Sequence, residues 1–261
     1  MKKDNKNIVL FLILAFLLPF LSVLMQSMIR NEILRFIMYG IQAVSPTIAA
    51  LILLCLNKES TSFFKNIFHK QHLVFACLFP MAFACITMLL AKYIVCVWLQ
   101  VDFVIGSIST VQFIIILWAL VAEEIGWRGY LQPLFKKIGI SEKIVPFLIG
   151  IIWCLWHYHY YIQDELQIPI LLFLVSCIIE SYIYSYLMYF TKGNILSAMT
   201  YHFSWNLWIH IWLINPIDNQ GSLLPYAVMV FIEFICVLVF NFIKKKNCIL
   251  KISEVDLCKK N

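Results

Sequence analysis

Apolar runs of about twenty residues, repeated from one end of the chain to the other, restrict this sequence more than any other feature. A run of that length spans the roughly 30 Å hydrocarbon core of a bilayer when it is helical. Eight such runs are readable, at 8–25, 36–56, 73–99, 105–135, 144–162, 168–190, 195–214 and 223–243. They are continuous and do not alternate with period two, which selects helices over a membrane β-barrel. Charged residues make up 13% of the 261 positions, against about 25% in a soluble globular domain. With 62% of residues hydrophobic, the chain could not cover a water-facing surface, so its backbone polar groups must be satisfied within helices. The expectation is an all-α, polytopic membrane helix bundle of about eight transmembrane helices, forming one integral membrane domain over residues 1–261.

The charged residues that remain report topology. Sixteen of the 20 Lys and Arg residues fall at the termini or in alternate connections, among them Lys58, Lys65, Lys136, Lys137, Lys143, Lys192 and Lys244. The opposite connections carry Arg30 and Arg35 with Glu32, Asp102, Asp164, Glu165 and Asp218. The positive-inside rule then places both termini in the cytoplasm. The net charge of +6 is spread between apolar segments, so nucleic acid is not an expected partner. The first run has a basic start but no clear small-residue cleavage site, and reads as a retained helix. Nine scattered cysteines without a CxxC pair read as small apolar residues. The tail Cys258-Lys259-Lys260-Asn261 has lysines where a prenylation box needs aliphatic residues.

Ionisable groups inside a bilayer cost roughly 2.5–3.5 kcal/mol each on insertion scales and are functional candidates by default. The fourth run contains Glu123-Glu124-Ile125-Gly126-Trp127-Arg128. Glu124 and Arg128 stand at i,i+4, the spacing for an ion pair on an α-helix. Glu123 points about 100° away and is left as the freer carboxylate, suited to a general base. The fifth run carries Trp153-Cys154-Leu155-Trp156-His157, and the seventh carries His202-Phe203-Ser204-Trp205-Asn206. His202 and Asn206 share a helix face and can offer hydrogen bonds to a developing oxyanion. Counted from Lys136, Lys143 and Lys192, residues Glu123, His157 and His202 lie roughly 20, 20 and 15 Å deep, near one level. By contrast, His159 and His210 read as interhelical hydrogen-bonding groups, and Glu180 and Glu233 as packing partners or groups beside a water pocket.

These three motifs resemble those of the CAAX-protease and bacteriocin-processing family of intramembrane peptidases. That family carries Glu-Glu-x-x-x-Arg, Phe-x-x-x-His and His-x-x-x-Asn/Asp on successive membrane helices. Here Trp153 replaces the Phe, which reads as a change of packing residue. The resemblance lies within the region at about 105–214. It implies that Glu123 activates a water assisted by His157, that His202 and Asn206 stabilise the oxyanion, and that Glu124 and Arg128 support the site. Family members include eukaryotic enzymes that trim prenylated CAAX tails, and bacterial relatives linked to peptide maturation and bacteriocin self-immunity. The short loops and retained basic N-terminus suit a bacterial plasma membrane protein, so a hydrophobic or membrane-bound peptide is the expected substrate ahead of a prenyl protein. No cofactor is certain. Two histidines and a carboxylate could hold zinc with an open water position, although there is no H-E-x-x-H helix and Asn206 is a poor zinc ligand. Two other readings stand beside this one. One is a catalytically idle scaffold or immunity protein that binds a partner. The other is a small proton-coupled transporter, for which the repeat symmetry and paired broken helices are missing.

Overall fold

The computed structural model describes residues 3–68 and 72–258, with side chains described as far as residue 247. The helices are α1 (Lys3–Met28), α2 (Glu32–Leu56), α3 (Ser60–Ile67), α4 (Leu73–Leu99), α5 (Thr110–Ala122), α6 (Gln132–Lys137), α7 (Val145–Trp156), α8 (Tyr158–Ile162), α9 (Ile170–Phe190), α10 (Leu196–Ile211) and α11 (Leu224–Cys258). A π-helical segment, Ile125–Leu131, joins α5 to α6. No strand occurs among the described residues. The tail at 259–261 lies outside them.

Each expected span is occupied by helix, yet among the described residues six helices are long and apolar enough to cross a membrane. They are α1, α2, α4, the continuous stretch Thr110–Lys137, α9 and Leu224–Asn247. The fifth expected span divides at His157 into α7 and α8, and α10 has 16 residues. The division has a local cause. The Trp153 carbonyl accepts from the His157 ring Nδ1 at 2.7 Å, while the helical amide of His157 reaches that carbonyl only at 3.3 Å. The outer faces of the long helices present large apolar side chains such as Ile13, Val74, Val111 and Phe231. On a multi-pass membrane protein those faces meet lipid.

Lipid removes most of the hydrophobic drive for helix association, so packing relies on small residues and interhelical hydrogen bonds. Both are present. Ser45 Oγ of α2 donates to the Ala15 carbonyl of α1. Thr200 and Ser204 of α10 donate to the Ala76 and Met81 carbonyls of α4. A Cβ at Gly150 of α7 would stand 2.6 Å from the Ile178 Cα of α9, and one at Gly126 would stand 2.5 Å from the Pro46 carbonyl group of α2. Glycine is what permits both close approaches. His159, fully buried, contacts Gln42 of α2 through Nδ1 at 2.6 Å, which makes it an interhelical hydrogen-bonding group as expected. His210 pairs with Asp218 at the end of α10.

Candidate active site

The site begins where α5 stops. The backbone at Glu123 leaves helical geometry (φ −122°, ψ −40°), and the chain continues as the π-helical turn. Two sequence features favour that turn. Gly126 allows the backbone to press against Pro46, and Pro133 supplies no amide to close an α-helical bond. The Gln132 amide bonds instead to the Trp127 carbonyl, five residues back. Single π turns inside α-helices recur at functional sites.

The Glu124–Arg128 pair expected from the i,i+4 spacing forms, but at a π-helical turn rather than on a regular α-helix. Arg128 Nε stands 3.5 Å from Glu124 Oε2, both side chains fully buried. The guanidinium also lies over the rings of Tyr184 (4.4 Å) and Trp153 (5.3 Å). The second Glu124 oxygen, Oε1, is 2.9 Å from His202 Nδ1. A carboxylate only accepts, so Nδ1 carries the proton of that bond. The other ring nitrogen, Nε2, faces Glu123 Oε1 at 3.8 Å. His202 therefore stands between the two adjacent glutamates, one at each nitrogen.

Glu123 is not the freer carboxylate that the helical wheel suggested. Its Oε2 accepts from the indole of Trp153 at 2.6 Å and from that of Trp127 at 3.3 Å. Oε1 is left toward His202. Trp153 is thus more than a packing residue in the second motif, because its N–H holds the carboxylate. A buried indole N–H usually finds an acceptor, and that rule is the signal that could have identified it. Trp153 also packs edge-on against His157 (5.3 Å), Tyr184 (5.9 Å) and His202 (6.1 Å). It forms the wall between the fifth and seventh expected spans.

His157 has its Nδ1 bonded to the Trp153 carbonyl, so when the ring is neutral Nε2 is its acceptor. Asn206 donates through Nδ2 to the His202 carbonyl at 2.9 Å, and the amide retains a second hydrogen. Glu123, Trp153, His157, Glu180, His202 and Asn206 all line one cavity of about 650 Å³, whose remaining walls are mostly apolar. Glu124 and Arg128 stand behind it. The cavity runs from Glu123 toward Tyr39, Glu165, Asn215 and Ile217, at the end away from Lys136, Lys192 and Lys244. At that end Tyr39 donates to Glu165 at 2.9 Å, and burial pushes the Glu165 carboxyl up, partly offset by this bond. Glu180, expected to be a packing or water-pocket residue, lines the cavity, and Glu233 is buried and accepts from the Tyr201 hydroxyl at 3.4 Å.

The donor set does not gather around a metal position. Among the described residues no three His, Cys, Asp or Glu side chains converge on one point. The two nitrogens of His202 face different carboxylates, and one oxygen of Glu123 is taken by two indoles.

Residues 106–208 match the model of a family described as Rce1-like, type II CAAX prenyl endopeptidase. No curated protein matches the chain. The matched stretch contains all three motifs, Glu123 to Arg128, Trp153 to His157 and His202 to Asn206. The resemblance that they carry is thereby shown over residues 106–208, and this stretch of the chain is similar to Rce1-like type II CAAX prenyl endopeptidases.

Proposed function

We propose that this protein hydrolyses a peptide bond of a membrane-associated substrate with a water activated by Glu123. The observation that supports this most strongly is the placement of Glu123 Oε1. Glu123 lines the cavity and holds Oε1 3.8 Å from His202 Nε2, while Oε2 is held by two indoles. A general base must reach the water that it deprotonates directly or through one other water. A carboxylate anchored through one oxygen presents the other in a fixed direction. Glu123 takes a proton from water, and the resulting hydroxide attacks the scissile carbonyl carbon. His157, as a neutral ring with Nε2 available, assists in orienting that water. The oxyanion is stabilised by the second amide hydrogen of Asn206 and by His202, which as an imidazolium would donate to Glu124 through Nδ1 and to the cavity through Nε2. The proton held by Glu123 passes to the leaving amine.

Glu124 and Arg128 do not touch the cavity. Their role is to position His202, since Glu124 is the acceptor of its Nδ1 proton. No step is routed through a metal. A substrate in an extended or turned conformation enters a chamber whose walls are largely apolar, which suits a hydrophobic or membrane-bound peptide. A bacterial plasma membrane with both protein termini in the cytoplasm, and a task in bacteriocin self-immunity or peptide maturation, fit this chemistry. The test is cleavage of a membrane-associated peptide by the purified protein in detergent, with and without chelator. Cleavage that survives chelation is expected. Cleavage abolished by chelator and restored by zinc would overturn the metal-free step.

A further inference from the structure

A second cavity opens at the other end of the bundle, and its chemistry differs from that of the chamber. It has a volume of about 1070 Å³ and lies among α3, the π-helical turn, α6, α7, α9 and α11. Its charged lining is Arg128, Lys136, Lys192, Lys244 and Glu142. Arg128 forms part of its floor. That side chain has no exposure to solvent, and its Nη1 and Nη2 have no hydrogen-bond partner. Nε stands 3.5 Å from Glu124 without making a hydrogen bond. A guanidinium has five N–H donors, and an unpaired buried donor is costly. The guanidinium is closed off from the cavity, stacked on Tyr184 and Trp153, so it lends the floor its charge rather than its donors.

We propose that this cavity binds a phosphate group at its mouth, between Lys192 and Lys244 and above the buried charge of Arg128. Lysine ammonium groups bind phosphate as point charges, and basic pockets between membrane helices take lipid headgroups. Glu142 is the one carboxylate in the lining. It pairs with Lys136 at 3.2 Å and with Lys244 at 3.4 Å, and its side chain is 62% exposed. Hydrogen bonding to Lys136 holds its carboxyl below the usual range. Exposed pairs of this kind contribute little, so an entering phosphate can displace Glu142 from the lysines. The remaining walls include Phe63, Val145, Met188 and Phe190. Apolar walls next to a basic mouth at the end of membrane helices fit the phosphodiester of a lipid headgroup with the upper part of its chains. Free phosphate carries the same recognised group without the chains.

The test uses the full-length protein in a neutral detergent, titrated by native mass spectrometry with short-chain phosphatidylglycerol, short-chain phosphatidylcholine and inorganic phosphate. Wild type is compared with Lys192→Gln/Lys244→Gln and with Glu142→Gln, and melting temperatures report that each variant is folded. Saturable binding of phosphatidylglycerol is expected. It should weaken about fivefold per lysine removed, hence roughly 25-fold in the double variant, and tighten when Glu142 is neutralised. Variant-sensitive binding of inorganic phosphate without phosphatidylglycerol supports the site and assigns it to a soluble anion. Phosphatidylglycerol binding that is equal in wild type and both folded variants, or no saturable binding of either anion, overturns the proposal.

Discussion

Replacing Glu124 by Gln separates the supporting role of the second glutamate from the role of the first. The side chain is isosteric, so packing is kept, and the amide oxygen can still accept from His202 Nδ1. What disappears is the charge facing Arg128 at 3.5 Å, in a place where both side chains have no exposure. Removing one member of a buried pair typically costs about 3–5 kcal/mol, because the other charge stays buried. Part of the Arg128 charge remains compensated by the faces of Tyr184 and Trp153, at up to about 2 kcal/mol for a desolvated cation–π contact. The net loss is therefore about 1–5 kcal/mol. At about 2–4 °C per kcal/mol for a chain of this size, the melting temperature in detergent should fall by roughly 2–20 °C. A second variant, Glu124→Leu/Arg128→Met, removes both charges and should recover most of that loss, since apolar replacement of a whole buried pair is often neutral or better. If Glu124→Gln melts with wild type, or if the double variant is no more stable than the single, the buried-pair reasoning is wrong.

Other outcomes follow from individual contacts. Trp153→Phe keeps an aromatic ring against Tyr184 and His202 but deletes the 2.6 Å bond to Glu123. A hydrogen bond to a charged group is worth about 1.5–3 kcal/mol, so kcat/KM for peptide cleavage should fall about 10- to 100-fold with little change in KM. Unchanged turnover would show that the indole only packs. Gly150→Ala places a Cβ 2.6 Å from Ile178 Cα, which should force α7 from α9 at a cost of about 1–3 kcal/mol and lower both melting temperature and activity. Wild-type stability would mean that the close approach is not needed. For topology, single cysteines at Asn219 and Asn247 in a background without accessible cysteines should label from opposite sides of the membrane. Labelling of both from one side would contradict eight crossings with cytoplasmic termini.

The sequence located the helices well because hydropathy changes abruptly at their ends. The apolar run 73–99 coincides with α4, and the run that ends at Leu56 stops with α2. Motif spacing also brought Glu123, His157, His202 and Asn206 to one cavity. It did so despite assuming regular α-helices, which explains what it missed. The π-helical turn at 125–131 depends on the approach of Gly126 to Pro46, about 80 residues away in the chain, and no local periodicity reports such a contact. The break at His157 arises from a side chain competing for a helix carbonyl, in a run whose hydropathy is uninterrupted. Trp153 was read as packing because hydropathy treats an indole as apolar and ignores its N–H. The partners of Glu123 were invisible for the same reason.

The central claim is that Glu123 is the base, and Glu123→Gln tests it most directly. The amide keeps the shape of the carboxylate and can still accept from the Trp153 indole, so the melting temperature should stay near that of wild type. It cannot take a proton from water. The measurement is single-turnover cleavage of a membrane-associated peptide by purified wild type and Glu123→Gln in the same detergent, each with its melting curve. The expected result is cleavage at background for a variant that is fully folded. Wild-type cleavage by Glu123→Gln would contradict the account.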